Sequence, residues 1–393
     1  MRAVLLENIS VGDILGKSLF NQRSELLLAA GFEITEEILQ SLHRHGFKQI
    51  YIHEEDQIEI TPQDVISDIV RQAVSQNLNE EFNSLKERLK KLPSSPIQIK
   101  KRLQNDVELK NMISIEEVSR SSNMLLEEIL QNNLSILSSL PVKSQSSQSF
   151  QHAMDVAVLC VFIGQFFHYD HQELASLGTA ALMHDVGKIA FQGMENKPIY
   201  EMKFQDRWLL REHPTYSNLI LKGSDPHSYV EQTTVLEHHE RPDGKGFPQG
   251  LKSRNSAPIK GRSNDSGYIF RHAEILSVAN AYDNYISGDI DGKIYSPQGA
   301  ISEMVTQAGT AFNPHVLKAL TKVVQFYPAG SIIRILNTYS GKYVGFKALV
   351  KNANPKEYAK PVVILTHDEF DQEIEHEEVD LRNERAVYLE LVL

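Results

Sequence analysis

The sequence predicts a mainly α-helical protein with a small α/β module at its N-terminus and a small β-rich tail at its C-terminus. Three observations predict it. Apolar residues recur at helical spacing from Phe150 to about Phe326, interrupted by one long polar loop, Arg241 to Tyr268. The first 60 residues carry one short amphipathic helix followed by a strand-like alternation. After Pro328 the apolar period shortens to that of strands. The 393 residues accordingly divide into a module at 1–60, a helical prelude at 61–140, a principal helical domain at 141–327 and a tail at 328–393.

In the first module, Ile34 to His45 reads as a helix with Thr35 as its cap and Ile38, Leu39 and Leu42 on one face. Gly46 stops it, and Lys48 to Ile52 alternates as a strand; strand-like runs also flank Asn21 to Ser24. Pro62 suits a first helical turn. From Val65 and Ile66 through Ile69, Val70, Ala73, Val74, Leu78, Phe82, Leu85 and Leu89 the spacing is helical. This segment is a candidate dimerising or signal-relaying helix, and equally a helix packed on its own domain. Pro93 to Pro96 breaks it, further helical sequence runs to Leu140, and Lys143 to Ser149 forms a polar loop. In the tail, Ser331–Leu336, Tyr343–Val350, Pro361–Leu365 and Val387–Leu391 read as strands, and Asp368 to Asp380 reads as a solvated acidic edge.

Lys plus Arg number 40 and Asp plus Glu 51, a net charge of −11. Such a surface argues against DNA or RNA polymers and anionic membranes as partners, but leaves room for a small anion at a locally positive site. The single cysteine, Cys160, sits in an apolar run and reads as a buried thiol. That run is shorter than the roughly 20 residues a membrane helix needs, and the first residues hold too short an apolar stretch for a signal peptide. A cytoplasmic location is therefore expected.

Histidines carry the chemical information. There are 15, and His152, His184-Asp185 (with Lys188 just beyond), His213 and His238-His239 fall within the helical region. Adjacent His-Asp and His-His pairs suit divalent ions such as iron, manganese or zinc, with no thiolate required.

The ordered set resembles the HD-GYP family of HD phosphohydrolases. The resemblance rests on His184-Asp185-Val186-Gly187-Lys188, Arg211-Glu212-His213-Pro214, the run His238 to Pro248, Ile275 to Asp283, and Ala308 to Pro314. It covers about 180 residues, close to half the chain. It implies an HD-type helical metallohydrolase domain with two or three divalent metal ions, iron or manganese, that hydrolyses cyclic dimeric GMP or a related cyclic dinucleotide. Carried over by position, the metal ligands are His152, His184, Asp185, His213, His238 and His239, with Asn280 where the family has an Asp. Asp185 and Lys188 are the implied catalytic pair, and Lys188, Phe247 and Lys293 the implied substrate contacts. Protein signalling partners and a homodimer are further expectations.

The chain departs from the family pattern at several positions. Asn280 offers an amide oxygen without charge, with Asp283 one turn away as a candidate substitute. The Gly-Tyr-Pro signature reads Gly246-Phe247-Pro248, so a hydroxyl is missing. The family's arginine segment is represented by Lys293-Ile294-Tyr295-Ser296, and Lys does not replace a bidentate Arg. Gly261 to Tyr268 is inserted between the signature loop and the Asn280 helix. Gln148, one turn before His152, is neutral where three-metal relatives carry Glu, which favours two metals. Two readings follow: a metal-dependent phosphodiesterase in second-messenger signalling, and a catalytically degenerate relative acting as a signalling or protein-interaction module.

Overall fold

The computed structural model describes residues 2–20, 26–47, 49–53, 65–92, 95–131, 148–191, 193–194, 197, 199–261, 265–352, 354, 357 and 359–392. Pro62, the run Asn21 to Ser24, most of Lys143 to Ser149, and the proposed boundaries at 60/61 and 140/141 lie outside these.

In the N-terminal module, strands β1 (Arg2–Leu5), β2 (Ile14–Leu15), β3 (Leu19–Phe20) and β4 (Leu26–Leu28) precede helix α1 (Glu36–Arg44) and strand β5 (Gln49–His53). The antiparallel sheet has the order β1-β5-β2, and β3 pairs with β4. Thr35 caps α1 by accepting from the Ile38 N–H at 3.3 Å, which satisfies one of the donors a helix start leaves open.

Helices α2 (Asp68–Lys90), α3 (Pro96–Asn105) and α4 (Ile115–Gln131) form the prelude. The start of α2 is set by Ser67, whose hydroxyl accepts from the Val70 N–H. Val65 and Ile66 are buried ahead of the helix, whereas Ile69, expected on the apolar face, is 80% exposed. Beginning the helix at Asp68 puts Val74, Leu78, Phe82, Leu85 and Leu89 inward and Ile69 outward.

The principal domain runs through α5 (Gln148–Phe166), α6 (His171–Met183), α7 (Phe204–Leu210), α8 (His213–Ser224), α9 (Tyr229–Glu237), α10 (Arg271–Ser287), α11 (Pro297–Val305) and α12 (Pro314–Val323). Nearly every side chain from Ala153 to Ile163 is buried, as an all-round apolar helix requires. Helix α5 is the central post, packed by α6, α10, α12 and the prelude helices α2 and α4. Cys160 lies inside it, fully buried, and burial pushes its thiol up. No described helix is long and apolar enough to cross a membrane.

The tail is an antiparallel sheet of β6 (Ile332–Thr338), β7 (Lys347–Asn352), β8 (Val362–His367), β9 (Glu373–Asp380) and β10 (Val387–Leu391), in the order β10-β6-β7-β8-β9. Four of these strands fall where the alternation predicts them. The fifth, β9, is the segment read as a solvated acidic edge. It is an edge strand: its glutamates face water while Ile374 and Val379 lean on the tail core. The Tyr327 hydroxyl ties the two parts together, 2.9 Å from Gln298 Oε1 of α11 and donating to the Leu389 carbonyl of β10 at 3.0 Å.

Candidate metal centre

Six residues from four helix ends and one from a helix interior converge on one pocket. His152 comes from the first turns of α5, His184 and Asp185 follow α6, His213 begins α8, His238 and His239 follow α9, and Asn280 projects from mid-α10. The turn after α6, Val186–Ala190, carries Lys188. Ser217 of α8 holds this turn in place: its hydroxyl donates to the His184 carbonyl at 2.8 Å and accepts from the Gly187 N–H at 2.9 Å. A Cβ at residue 187 would overlap the His213 carbonyl and the Ser217 backbone nitrogen, so only glycine lets the two segments meet.

Four imidazoles are oriented alike. His184 Nδ1 lies 2.7 Å from the Ala181 carbonyl, His213 Nδ1 2.8 Å from that of Leu210, and His238 Nδ1 2.7 Å from that of Val235. His152 Nδ1 lies 2.6 Å from Asp283 Oδ2. Each acceptor fixes the proton on Nδ1 and leaves an Nε2 lone pair facing the pocket, the arrangement that surrounds metal-bound histidines. The Nε2 atoms then meet in pairs, His152 with His184 at 3.2 Å and His213 with His238 at 3.3 Å. Two lone pairs at that separation repel unless a cation lies with them.

Asp185 stands between the pairs. Its Oδ2 is 3.3 Å from His184 Nε2 and 3.7 Å from His152 Nε2; its Oδ1 is 3.0 Å from His213 Nε2 and 4.0 Å from His238 Nε2. Oδ1 is buried with no hydrogen-bond partner among the described residues. Two donor groups result, His152-His184-Asp185 and Asp185-His213-His238-His239, with Asp185 common to both. The donor set fits divalent cations: neutral imidazoles plus one carboxylate, no thiolate.

The electrostatics agree with that donor chemistry. Burial alone would raise the Asp185 carboxyl, but His184 and the Lys188 ammonium, 2.5 Å from Oδ2, hold it well below the usual carboxylate range. Burial, and then the crowding of like groups, pushes His238 and His239 well below the usual imidazole value; burial also lowers His213. These rings are therefore neutral, the form that ligates.

His239 is held differently. Its ring stacks on Phe247, with centroids 4.7 Å apart and planes 21° apart, and the Arg211 guanidinium lies 4.6 Å from the centre of the Phe247 ring. The loop carrying Phe247 is pinned by Glu240, whose carboxylate accepts from the N–H groups of Gln249 at 2.6 Å, Gly250 at 3.1 Å and Leu251 at 2.8 Å.

The residues expected from the sequence thus gather, with two exceptions in role. Asp283, the candidate substitute for a charged ligand, is committed to His152 Nδ1, so Asn280 stands without a charged replacement. The buried Asn280 offers Oδ1, which already accepts from Asn284 Nδ2 at 2.8 Å. Lys293, the expected substrate contact, does not line the cavity. Its backbone N–H is tied to Asp291 at 2.9 Å and its ammonium sits over the Tyr295 ring, so the turn after α10 carries it away. None of the described residues of Gly261 to Tyr268 lines the cavity either. The side chain of Gln148 lies outside the described residues.

The cavity measures about 610 Å³. Beyond His152, Asp185, Lys188, His213, His239, Phe247 and Asn280, its wall includes Asn79, Phe82, Asn83 and Lys86 of α2, Lys197, and Arg207 and Arg211 at α7. None of these was expected as a site residue from the sequence, although Arg211 stands in a resemblance motif and Phe82 on the apolar face of α2; the helical period carries no sign of what the other face of α2 meets.

Comparison with known proteins bears on the same region. Residues 125–316 match the HD domain family. A cyclic di-GMP phosphodiesterase of Pseudomonas aeruginosa is 26% identical over 222 residues, 56% of this chain and 48% of that protein. A cyclic di-GMP phosphodiesterase response regulator of Xanthomonas campestris is 24% identical over 241 residues, 58% of this chain and 60% of that protein. A 3'3'-cGAMP-specific phosphodiesterase of Vibrio cholerae is 26% identical over 181 residues, 46% of this chain and 32% of that protein. The chain therefore spans less than two thirds of each of these relatives. Among solved structures, an HDGYP protein from Bdellovibrio bacteriovorus covers 81% of this chain and 97% of its own, at 15% identity and a TM-score of 0.42.

Proposed function

We propose that this chain, whose residues 125–316 match the HD domain family, is a metal-dependent phosphodiesterase of the HD-GYP type acting on a cyclic dinucleotide, with cyclic di-GMP as the leading substrate. The observation that carries the reading is the placement of Asp185, one oxygen toward His152 and His184 and the other toward His213 and His238. In this reading His152, His184 and Asp185 hold one ion, Asp185, His213, His238 and His239 hold a second, and iron or manganese suits both sets. Divalent ions held there would activate water for attack and offset charge on the phosphate.

The chain's own residues do the rest. Lys188 places an ammonium at the rim of the donor cluster, where negative charge develops as a phosphoryl oxygen is attacked. Asp283 and the carbonyls of Ala181, Leu210 and Val235 keep the four imidazoles in their ligating tautomer. Phe247 orients His239, and the buried packing of α5, α6 and α10 keeps bulk water from that side. Water adds across one phosphodiester P–O bond, and the product is the linear dinucleotide. The names of the relatives, which specify cyclic di-GMP and 3'3'-cGAMP, support this substrate class.

A second reading, a degenerate domain that binds without turnover, is favoured by the neutral Asn280. Elemental analysis of the purified full chain, followed by product analysis with cyclic di-GMP and Mn²⁺ or Fe²⁺, separates them. Linear product from metal-replete protein supports the enzyme. Full metal content with no product from any cyclic dinucleotide overturns it.

A further inference from the structure

The cavity reaches well past the donor cluster, to a wall built by α7 and by α2, a helix outside residues 125–316. Among the described residues this lining carries the cations Lys86, Lys188, Lys197, Arg207 and Arg211 against the carboxylates Asp185 and Asp289. Such an excess suits an anionic occupant. The cations come from different elements. Lys188 belongs to the donor cluster, 2.5 Å from Asp185. Lys86 comes from α2, Arg207 from α7, and Arg211 from the residue that ends α7. Arg207 has no ion-pair partner among the described residues. The Arg211 guanidinium lies over the rings of Trp208 at 5.0 Å and Phe247 at 4.6 Å. Stacking occupies the faces of a guanidinium and leaves its N–H edge for a phosphate.

We propose that Lys86, Arg207 and Arg211 hold the second phosphate of a cyclic dinucleotide whose first phosphate lies at Lys188. The inference rests on the cyclic-dinucleotide reading above. It gives α2 a role in ligand recognition, and it supplies from two other helices the cationic contact that Lys293, turned away over Tyr295, does not make. Phe82 and Phe150, with ring centroids 5.5 Å apart on the same wall, add an apolar surface beside it.

The test uses the Mn²⁺-loaded full chain, wild type against the Lys86→Ala/Arg207→Ala double variant, with thermal melts to verify folding. Binding of fluorescently labelled cyclic di-GMP is read by anisotropy before turnover, with unlabelled cyclic di-GMP and GMP as competitors. Loss of two charge-assisted contacts should weaken cyclic di-GMP by about tenfold or more and GMP, with one phosphate, by less than about threefold. Arg207→Lys in place of Ala should recover part of the loss. Equal weakening of both ligands, or none, overturns the proposal. If wild type hydrolyses cyclic di-GMP while the double variant binds it unchanged, the second-phosphate site fails and the enzyme reading stands. Charge-dependent binding without hydrolysis leaves the site standing and overturns the enzyme. Wild type that binds no cyclic dinucleotide overturns both.

Discussion

Asp283 Oδ2 lies 2.6 Å from His152 Nδ1, joining α10 to α5 at a point where both side chains are buried. The carboxylate holds the proton on Nδ1 and so aims Nε2 at His184 and Asp185. Orienting partners of this kind typically change metal affinity by about 10- to 100-fold. Asp283→Ala should weaken the His152-side ion on that scale. Asp283→Asn, which retains an acceptor oxygen, should lose less. Chelator-competition titrations measure both; equal affinities for wild type and Asp283→Ala would remove Asp283 from this role.

Asn280 raises the converse question. Its Oδ1 is engaged with Asn284, and it brings no charge to a cavity rich in cations. Asn280→Asp adds a buried carboxylate beside the donor cluster. With metal present it should raise affinity, on the order of tenfold, by adding a charged oxygen. Without metal the same charge is buried in a cavity that already holds the Asp185 carboxylate, so the variant should melt below wild type. Thermal melts with and without Mn²⁺ give the check: the sign of the change in melting temperature should reverse between the two conditions. The same sign in both would place Asn280 outside the metal environment.

Much of this site was legible in the sequence. His184-Asp185, His213 and His238-His239 sit at helix boundaries, and their ordered combination, where a single pair has little specificity, suits a set of metal ligands. What the sequence hid is lateral. Asp283 and His152 are 131 positions apart, and only the crossing of α10 on α5 pairs them. Lys86 and Arg207 meet one cavity because α2 packs on the turn after α6, and nothing in a helical period states which neighbour its polar side will face. Lys293 failed for the opposite reason: position along the chain suggested a role that the turn at Asp291 denies it. Strand β9 escaped because six of its eight residues are acidic or His, which masks the two apolar contacts of Ile374 and Val379.

Glu240 tests how the signature loop is held. One carboxylate accepts three backbone N–H groups, from Gln249, Gly250 and Leu251. Bonds to a charged group contribute about 1.5–3 kcal/mol each when lost singly, though three sharing one side chain do not add. Glu240→Ala should therefore destabilise by about 3 kcal/mol and speed amide exchange at residues 249–251 ahead of the rest of the domain. Exchange that rises uniformly would mean that Glu240 supports the fold at large and not this loop.

Phe247 offers the sharpest separation of orientation from binding. Its ring lies between His239, stacked at 4.7 Å, and the Arg211 guanidinium at 4.6 Å. Phe247→Ala removes both contacts. The cation–π contact alone accounts for about 0.5–2 kcal/mol, and His239 loses the surface that sets its plane. That variant should therefore lose affinity at the His213-His238-His239 ion and weaken ligand binding through Arg211. Phe247→Tyr keeps the ring, and so should keep metal content at the wild-type level. It also adds a hydroxyl beside the cavity, where one neutral hydrogen bond would tighten cyclic di-GMP by about two- to tenfold. Metal analysis and ligand titration on the two variants check the pair. If Phe247→Ala binds metal as wild type does, the stack is incidental to His239, and its role reduces to the position of Arg211.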